Sequence, residues 1–490
     1  MKKTVSIIGA GIAGMTAGIY LQEHGYDVTI FEKNANPGGF LTGWTRKNQF
    51  IDGCLHWLIG TKDGTNLNKM WKHLGALENV NIIPINSFYK VVYEGKTLTF
   101  YSDIDKLEKE LYSHSEGDDE LIKEFVAAIR YVGVLETQTE KPFDFFTTSE
   151  LMHSMIPFIK LKRFANTLLE DYANEYHSEI LKFAFKHALT DKKFNVMYLI
   201  QTLGHFCAGN AFVPEGGSLN MAYRMINKFI SFGGKIKYCK NVSKIIVKNN
   251  TAKGIVINNE NVYSDYVISA SDLHFTFEKL LENKYPFEPL STYDSNKAKF
   301  PTYSFVLLSY KTRKDISYED VDVVLKVPTI NSFNKEHEHV SIRHYGYDES
   351  LKTDGYTTIE VMVNTYEEDY EYIKSLSKDE YKAFKQDIGN KYLSILKEYF
   401  KTDDIEMIDS LTPLTFERYL NAYKGTFMTY ALGPKMNQVM MSNKSKDVEN
   451  LYFANQWLVI PGGTCIAVTM GKFAAQHIMK NDGLDYTNLD

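Results

Sequence analysis

Cysteine is scarce: Cys54, Cys207, Cys239 and Cys465 are the only four in 490 residues, and no two share a C-x-x-C spacing. That excludes a disulfide framework and a structural zinc site, and makes a reducing cytoplasm the simplest home. Proline is also sparse, at 12 residues, and there is no low-complexity tract or convincing internal repeat. No uninterrupted apolar run reaches 18 residues, so no spanning helix is expected. The expected state is soluble, or peripheral on the cytoplasmic face of a membrane. Charge of one sign never accumulates in a block and the net charge is only −6, so no nucleic-acid partner is expected. Hydrophobic residues make up 44% and charged residues 24%, ordinary globular usage that excludes disorder and fibrous repeats. What is abundant is the aromatic ring, with 33 Tyr and 30 Phe. Rings in that number can fill cores, and they can also line a tunnel for a long apolar ligand.

The N-terminus carries Lys2-Lys3 before an uncharged, alanine-containing stretch from Val5 to Leu21, superficially like a secretory leader. Its glycines and its direct continuation into a second apolar strand argue for folded structure instead. Thr4 to Ile8 predicts a buried strand, Ile12 to Glu23 a helix, and Asp27 to Phe31 a second strand. Between the first strand and the helix stand Gly9, Gly11 and Gly14, a G-x-G-x-x-G. Gly9 permits the tight turn, Gly11 lets a pyrophosphate approach the backbone, and Gly14 lets helix pack on strand. The helix N-terminus, at Ile12 and Ala13, offers N–H groups and positive dipole to phosphate. Glu32, followed by Lys33, ends the second strand where a ribose-binding acid belongs. Strand, helix, strand and acid together predict a dinucleotide site.

The acid is followed by Pro37-Gly38-Gly39 and then Asp52-Gly53-Cys54-Leu55-His56. Here the chain resembles the FAD-dependent oxidoreductases that include phytoene desaturases, carotenoid isomerases, retinol saturases, monoamine oxidases and the Rab-GDP dissociation inhibitors. Many members place Arg after the Gly-Gly; this chain has Phe40. The block from Pro214-Glu-Gly216-Gly217 also resembles the phytoene desaturase group. It runs through a helix with Leu219, Ala222, Tyr223, Ile226, Phe229 and Ile230 on one face, then Gly233-Gly234 and a set of strands. The resemblance implies that the backbone near Val242 meets the adenine. Leu451 to Ala454, Asn455-Gln456 and Pro461-Gly462-Gly463-Thr464, leading into a helix to about Lys480, resemble the family's closing motif. There Gln456, Gly463 and Thr464 would touch the cofactor. Together these segments cover about half the chain and imply FAD as cofactor. The implied fold is α/β, a Rossmann-like FAD-binding domain of the GR2 type with an inserted α+β substrate domain and a helical lid. Residues 1–85, 210–275 and 430–490 would form the discontinuous FAD-binding domain, and 86–209 with 276–429 the substrate and lid region.

Strand-like runs at 86–101 and within 300–365, such as Thr357 to Val363, predict a second sheet, while 104–205 is mainly helical by pattern. Phe158 to Phe164 alternates apolar residues with Lys160, Lys162 and Arg163. It reads either as an amphipathic helix on a membrane surface or as an ordinary lid helix. No Ser/His/Asp spacing, H-E-x-x-H or P-loop is present. Asp52 and His56 are the candidate acid–base residues; the bland alternative is that Asp52 holds a loop and His56-Trp57 pack in an interface. Tyr419 and Tyr423 are candidate tunnel lining, and Cys54 and Cys465 are given no redox function.

The resemblance therefore implies an FAD-dependent oxidoreductase acting on carbon–carbon bonds of a long polyene or unsaturated lipid. Desaturation, saturation and double-bond isomerisation all remain open. A flavin amine oxidase and a non-catalytic lipid-binding escort are the alternatives on the same fold. The expected partner is an apolar small molecule or lipid, with peripheral membrane contact; no metal is expected.

Overall fold

A computed structural model describes residues 2–189, 192–333, 335–431, 441–487 and 489. At its base is a five-stranded, all-parallel sheet. In spatial order its strands are Lys235–Lys237, Asp27–Phe31, Thr4–Ile8, Tyr266–Ser269 and Leu451–Phe453. The chain leaves Thr4–Ile8 to one side and returns on the other, so strand order reverses at the carboxyl end of that strand. In open α/β sheets such a reversal opens the crevice in which ligands bind.

Helix Ile12–Glu23 is buried from Ile12 to Gln22 without a break. A helix apolar all round has no solvent face, and this one lies between the sheet and two other helices, Gly217–Ser231 and Thr464–Asn481. Small residues permit the closeness. A Cβ on Gly14 would lie 2.2 Å from the Gly9 carbonyl oxygen, and one on Gly18 would lie 3.0 Å from Ile30 and 3.1 Å from Phe229. The helix predicted over Leu219–Ile230 forms, but its buried stripe is Met221, Ala222, Met225, Ile226 and Phe229. Tyr223 and Ile230 are exposed, because the stripe that meets helix Ile12–Glu23 is rotated from the predicted face. Helix Thr464–Asn481 is likewise buried on every side from Val468 to Met479, so no single face of it is the apolar one.

The second sheet has seven strands, in the order Glu406–Leu411, Tyr303–Thr312, Thr357–Tyr366, Lys335–His344, Asp322–Ser332, Ser87–Tyr93 and Lys96–Tyr101. All neighbours are antiparallel except Asp322–Ser332 with Ser87–Tyr93. One face packs on the charged helix Lys378–Phe400 through Ile359, Val361, Val363, Ile388, Tyr392 and Leu396. Alternation of side chains along a strand sends the intervening residues to the other face. Those residues, among them Glu360, Met362 and Asn364, face a cavity. Residues 104–207 are helical in short segments over the remaining side, with a core that includes Phe125, Tyr172, Tyr176 and Phe185.

Candidate active site

A cavity of about 700 Å³ runs from the carboxyl ends of the parallel strands to the open face of the seven-stranded sheet. Its floor is built from the ends of four parallel strands. Ile8 and Gly9, Phe31 and Glu32, Ala270 and Ser271, and Asn455 all line it. Gly11 caps the first helix with extended backbone (φ −70°, ψ 173°) and supplies no side-chain cap. Gly463, at φ +108°, caps helix Thr464–Asn481, again without a side-chain cap. Two helix N-termini thus face one cavity with first-turn N–H groups that no side chain caps, an arrangement suited to anionic groups.

The glycines leave room at this floor. Gly38 (φ +115°) and Gly39 (φ +63°) make a turn that L side chains rarely adopt. Gly38 donates to the Ala10 carbonyl (2.8 Å) and pairs with Gly11 as an isolated bridge. A Cβ on Gly39 would sit 3.3 Å from the Gly11 Cα, and one on Gly11 would meet nothing nearer than the Gly38 carbonyl oxygen at 3.9 Å. The space beside Gly11 belongs to the cavity.

Glu32 is only 5% exposed and closes the strand end. Its Oε2 accepts from the Ala10 N–H (2.8 Å), and its Oε1 from the N–H (2.8 Å) and Nδ2 (3.0 Å) of Asn34. Those bonds fix the carboxylate on the glycine loop while leaving a further lone pair on Oε2. Lys33 is tied to the Asn421 side chain (2.7 Å) and the Arg418 carbonyl (2.9 Å), and burial lowers its pKa. Gln456 also lines the cavity. Its Oε1 accepts from the Gly463 N–H (2.9 Å) and its Nε2 donates to the Phe427 carbonyl (2.9 Å), so this amide first holds the glycine turn.

Of the predicted cofactor residues, Gly9, Gly11, Ile12, Ala13, Glu32, Lys33, Gly38, Gly39, Val242, Gln456, Gly463 and Thr464 are brought together on the cavity wall. Gly14 is not among them; it is buried against Gly9 and Ala270, where only packing requires it. A long anionic dinucleotide with a flat ring fits this wall: an open glycine cradle, a fixed carboxylate, and two uncapped helix ends.

The acid–base expectation divides. Asp52 is 2% exposed and lies off the cavity. It accepts from Ser218 Oγ and N (2.5 Å each) and from the N–H groups of Cys54 (3.1 Å) and Leu55 (3.2 Å). Burial raises its pKa despite those bonds. Asp52 therefore holds the loop to helix Gly217–Ser231, and a catalytic role for it is corrected. His56 does face the cavity, but burial, helped by the Arg343 charge, lowers its pKa well below 6.5. Its ring is neutral at pH 7 rather than poised to titrate there. Burial pushes the Cys54 and Cys465 thiols up to about 12, so neither is a ready thiolate. Tyr419 lines the cavity, whereas Tyr423 stacks on His274 with centroids 3.6 Å apart.

Beyond the floor the wall is aromatic and aliphatic. Trp57 meets Phe88 edge-on at 5.2 Å and Phe206 at 5.7 Å, and Phe427 meets Phe305 at 4.8 Å. Into this wall the seven-stranded sheet inserts three charged residues that sequence spacing does not reveal. Asp322, Arg343 and Glu360 lie opposite one another on three adjacent strands, in register Asp322 to Arg343 and Arg343 to Glu360. Arg343 is 3% exposed and pairs with Asp322. Its Nη2 donates to the His56 carbonyl (2.6 Å) and the Tyr347 hydroxyl (3.3 Å), clamping the His56 loop to the sheet. The available signal was a charge inside an apolar alternating strand, as in Thr357-Thr-Ile-Glu360-Val-Met.

Residues 12–479 match the family described as flavin containing amine oxidoreductase. The chain is 24% identical over 521 residues to the 4,4'-diapophytoene desaturase (4,4'-diaponeurosporene-forming) of Staphylococcus aureus strain bovine RF122 / ET3-1, covering 97% of this chain and 99% of that one. It is 26% identical over 292 residues to the lycopene-forming phytoene desaturase of Pseudescherichia vulneris; that match spans 57% of this chain and 58% of the relative. Among solved structures, an oxidoreductase from Methanosarcina mazei aligns over 97% of this chain and 100% of its own at TM-score 0.62 and 19% identity. A putrescine oxidase aligns over 98% and 99% at TM-score 0.61 and 15% identity. At those identities the structures bear on fold alone, and the fold is the FAD-binding α/β architecture expected. With a model matching nearly the whole chain and a cradle shaped for its cofactor, the protein belongs to the flavin containing amine oxidoreductase family, an FAD-dependent oxidoreductase.

Proposed function

We propose that the protein transfers hydrogen to or from carbon–carbon bonds of a long polyene or unsaturated lipid. The observation that carries this reading is the aromatic and aliphatic cavity wall continuous with the glycine cradle, in a chain matched end to end by a 4,4'-diapophytoene desaturase. Bound FAD supplies hydride exchange, the hard step of such chemistry. The chain's own residues bind, orient and exclude water. Gly9, Gly11, Gly38 and Gly39 give the pyrophosphate its approach, Glu32 the ribose contact, and Val242 the adenine contact. The first-turn N–H groups at Thr464 favour negative charge on the ring side. Trp57, Phe88, Phe305 and Phe427 hold an extended carbon chain in dry surroundings.

An amine substrate is less well served. A cationic amine needs an unneutralised anion, and Asp322 is already paired with Arg343. In this reading the division of labour follows the two sheets: residues 1–85, 210–275 and 430–490 hold cofactor, 86–209 with 276–429 hold substrate, and Trp57 reaches from the first set into the substrate wall.

Among the described residues no helix is long and apolar enough to cross a membrane. We propose a peripheral contact through helix Thr148–Lys160, where Met152 (67% exposed), Ile156 (51%) and Ile159 (68%) form one stripe at i, i+4 and i+7. The stretch after it contributes less, since Leu161 and Phe164 are buried and Arg163 is paired with Glu124 and Glu175. Serine at 152, 156 and 159 should abolish co-sedimentation with anionic vesicles and leave flavin content unchanged.

The test of substrate class is anaerobic: reduce the flavin, add polyenes and unsaturated fatty acids, and follow the flavin spectrum. Reoxidation by one of them names a saturase-type reductase and its substrate class. If the flavin stays reduced while the lipid isomerises, the reaction is isomerisation. Failure of every lipid to exchange hydrogen with either oxidised or reduced enzyme overturns the reading.

A further inference from the structure

Glu360 stands at the centre of the open face of the seven-stranded sheet, 2% exposed and on the cavity wall. Its Oε2 accepts from the Tyr345 hydroxyl at 2.8 Å, while its Oε1 is buried with no hydrogen-bond partner. Native proteins seldom leave a buried carboxyl oxygen without a partner. The neighbouring cation does not serve it: Arg343 bonds Asp322, the His56 carbonyl and the Tyr347 hydroxyl, and its buried Nε–H has no partner either. A cavity meant only for hydrocarbon gains nothing from such a group and bears the cost of burying it.

We propose that Glu360 donates a hydrogen bond to an uncharged oxygen, a carbonyl or hydroxyl, carried by the lipid substrate. The proposal rests on the lipid reading above and narrows it to an oxygen-bearing lipid. For Glu360 to donate, its carboxyl must hold its proton at neutral pH. Burial, together with the negative charges of Asp52 and Asp322, moves its pKa up to about 8, against the opposing influence of the Tyr345 hydrogen bond and Arg343. Those four are the titratable or charged groups that face it: Asp52 from strand Gln49–Asp52, Asp322 from the outer of the two neighbouring strands, Arg343 from the strand beside it, and Tyr345 just beyond. On its other side the register partner is Ser309, which does not titrate. With Glu360 protonated, Asp322 and Arg343 cancel and the trio is neutral. A carboxylate headgroup would approach Asp322, whose charge already offsets that of Arg343, so the matching ligand oxygen is uncharged.

The test is equilibrium binding to the oxidised holoenzyme, read from the flavin difference spectrum and from tryptophan fluorescence, with no turnover. The probes are a polyene hydrocarbon, its terminal methyl ketone and its terminal carboxylate, matched in chain length. A ketone only accepts, so it reports the Glu360 proton directly. The ketone should bind about 10-fold tighter than the hydrocarbon at pH 7, the size of one net hydrogen bond, and lose that advantage as pH rises through about 8. The carboxylate should gain nothing over the hydrocarbon. Glu360→Gln keeps an N–H donor and should keep the ketone preference while abolishing its pH dependence; Glu360→Leu should erase the preference. Equal binding of ketone and hydrocarbon, or a preference that survives Glu360→Leu, overturns this proposal and leaves the lipid reading standing. Binding of none of the three removes both.

Discussion

The two sheets wall the same cavity by opposite means. On the parallel sheet the wall is backbone: glycines at 9, 11, 38, 39 and 463, and the N–H groups of two helices that no side chain caps. Its carboxylate Glu32 is held by the N–H groups of Asn34, two residues on, and of Ala10, 22 residues back on the glycine loop. Facing it, the seven-stranded sheet presents side chains, and its charges are held by one another across strands and by a distant loop. Arg343 reaches Asp322 across a strand pair and the His56 carbonyl across 287 residues. A backbone wall recognises what every member of a cofactor class shares, namely phosphate and a flat ring. A side-chain wall can be altered residue by residue, and under the proposed function it is the wall that would set substrate choice. The comparison also separates two kinds of glycine: Gly14 is required by packing, whereas Gly11 packs against little and leaves its space to the cavity.

That separation gives the largest expected effect. Gly14→Val places a side chain into the Gly9 carbonyl, where even a Cβ would come within 2.2 Å, and should prevent folding. Gly11→Val keeps ordinary extended backbone, its Cβ meeting nothing nearer than 3.9 Å, and should fold but purify colourless. Circular dichroism and flavin absorbance decide it: a flavin-replete Gly11→Val would refute the cradle.

The next effect lies on the side-chain wall. Arg343→Met strands the Asp322 carboxylate and frees the His56 loop, at a cost of about 3–5 kcal/mol in denaturant unfolding. Adding Asp322→Asn should recover most of the stability without restoring the loop contact. If the double variant is no better than the single one, the ion pair is not what Arg343 chiefly satisfies.

A smaller, pH-dependent effect comes from His344, on the same strand. Burial takes its pKa down to about 4, and its Nδ1 accepts from the Gly346 N–H (3.1 Å). The unfolded chain binds a proton near 6.5 and the folded protein does not until about 4, so stability falls as pH drops through that window. Between pH 7 and pH 5 the loss from this group is about 2 kcal/mol. His344→Gln should be correspondingly less acid-sensitive; identical pH profiles for the two proteins would contradict the assignment.

The smallest effect is at His56. Because its ring is already neutral at pH 7, His56→Ala should leave the pH dependence of turnover between 6 and 8 unmoved. A titration lost with the imidazole would restore it as an acid–base residue.

Legibility followed the same division. The strand–glycine–helix–strand unit at 4–32 could be read because its residues are adjacent in the chain and each glycine answers a local demand of the backbone. The cavity-facing helix end at Gly463-Thr464 was legible only through its resemblance to the family's closing motif. Asp52 could not be placed: an acid beside a glycine looks the same whether it faces ligand or, as here, holds Ser218, 166 residues away. The helix over 217–231 could be seen in its period, but which of two adjacent faces is buried depends on where helix Ile12–Glu23 lies.

By itself, then, the sequence determined the cofactor unit, the chemistry of its floor, and the two sheets' rough extents, because 3.6- and 2-residue periods and glycine spacing are local. Only the tertiary structure decided that Asp322, Arg343 and Glu360 stand in line. The three lie in separate strands, and cross-strand register is fixed by the packing of the whole sheet. Burial among apolar and charged neighbours then set the protonation of Glu360 and His56, and that environment comes into being only when the chain closes around the cavity.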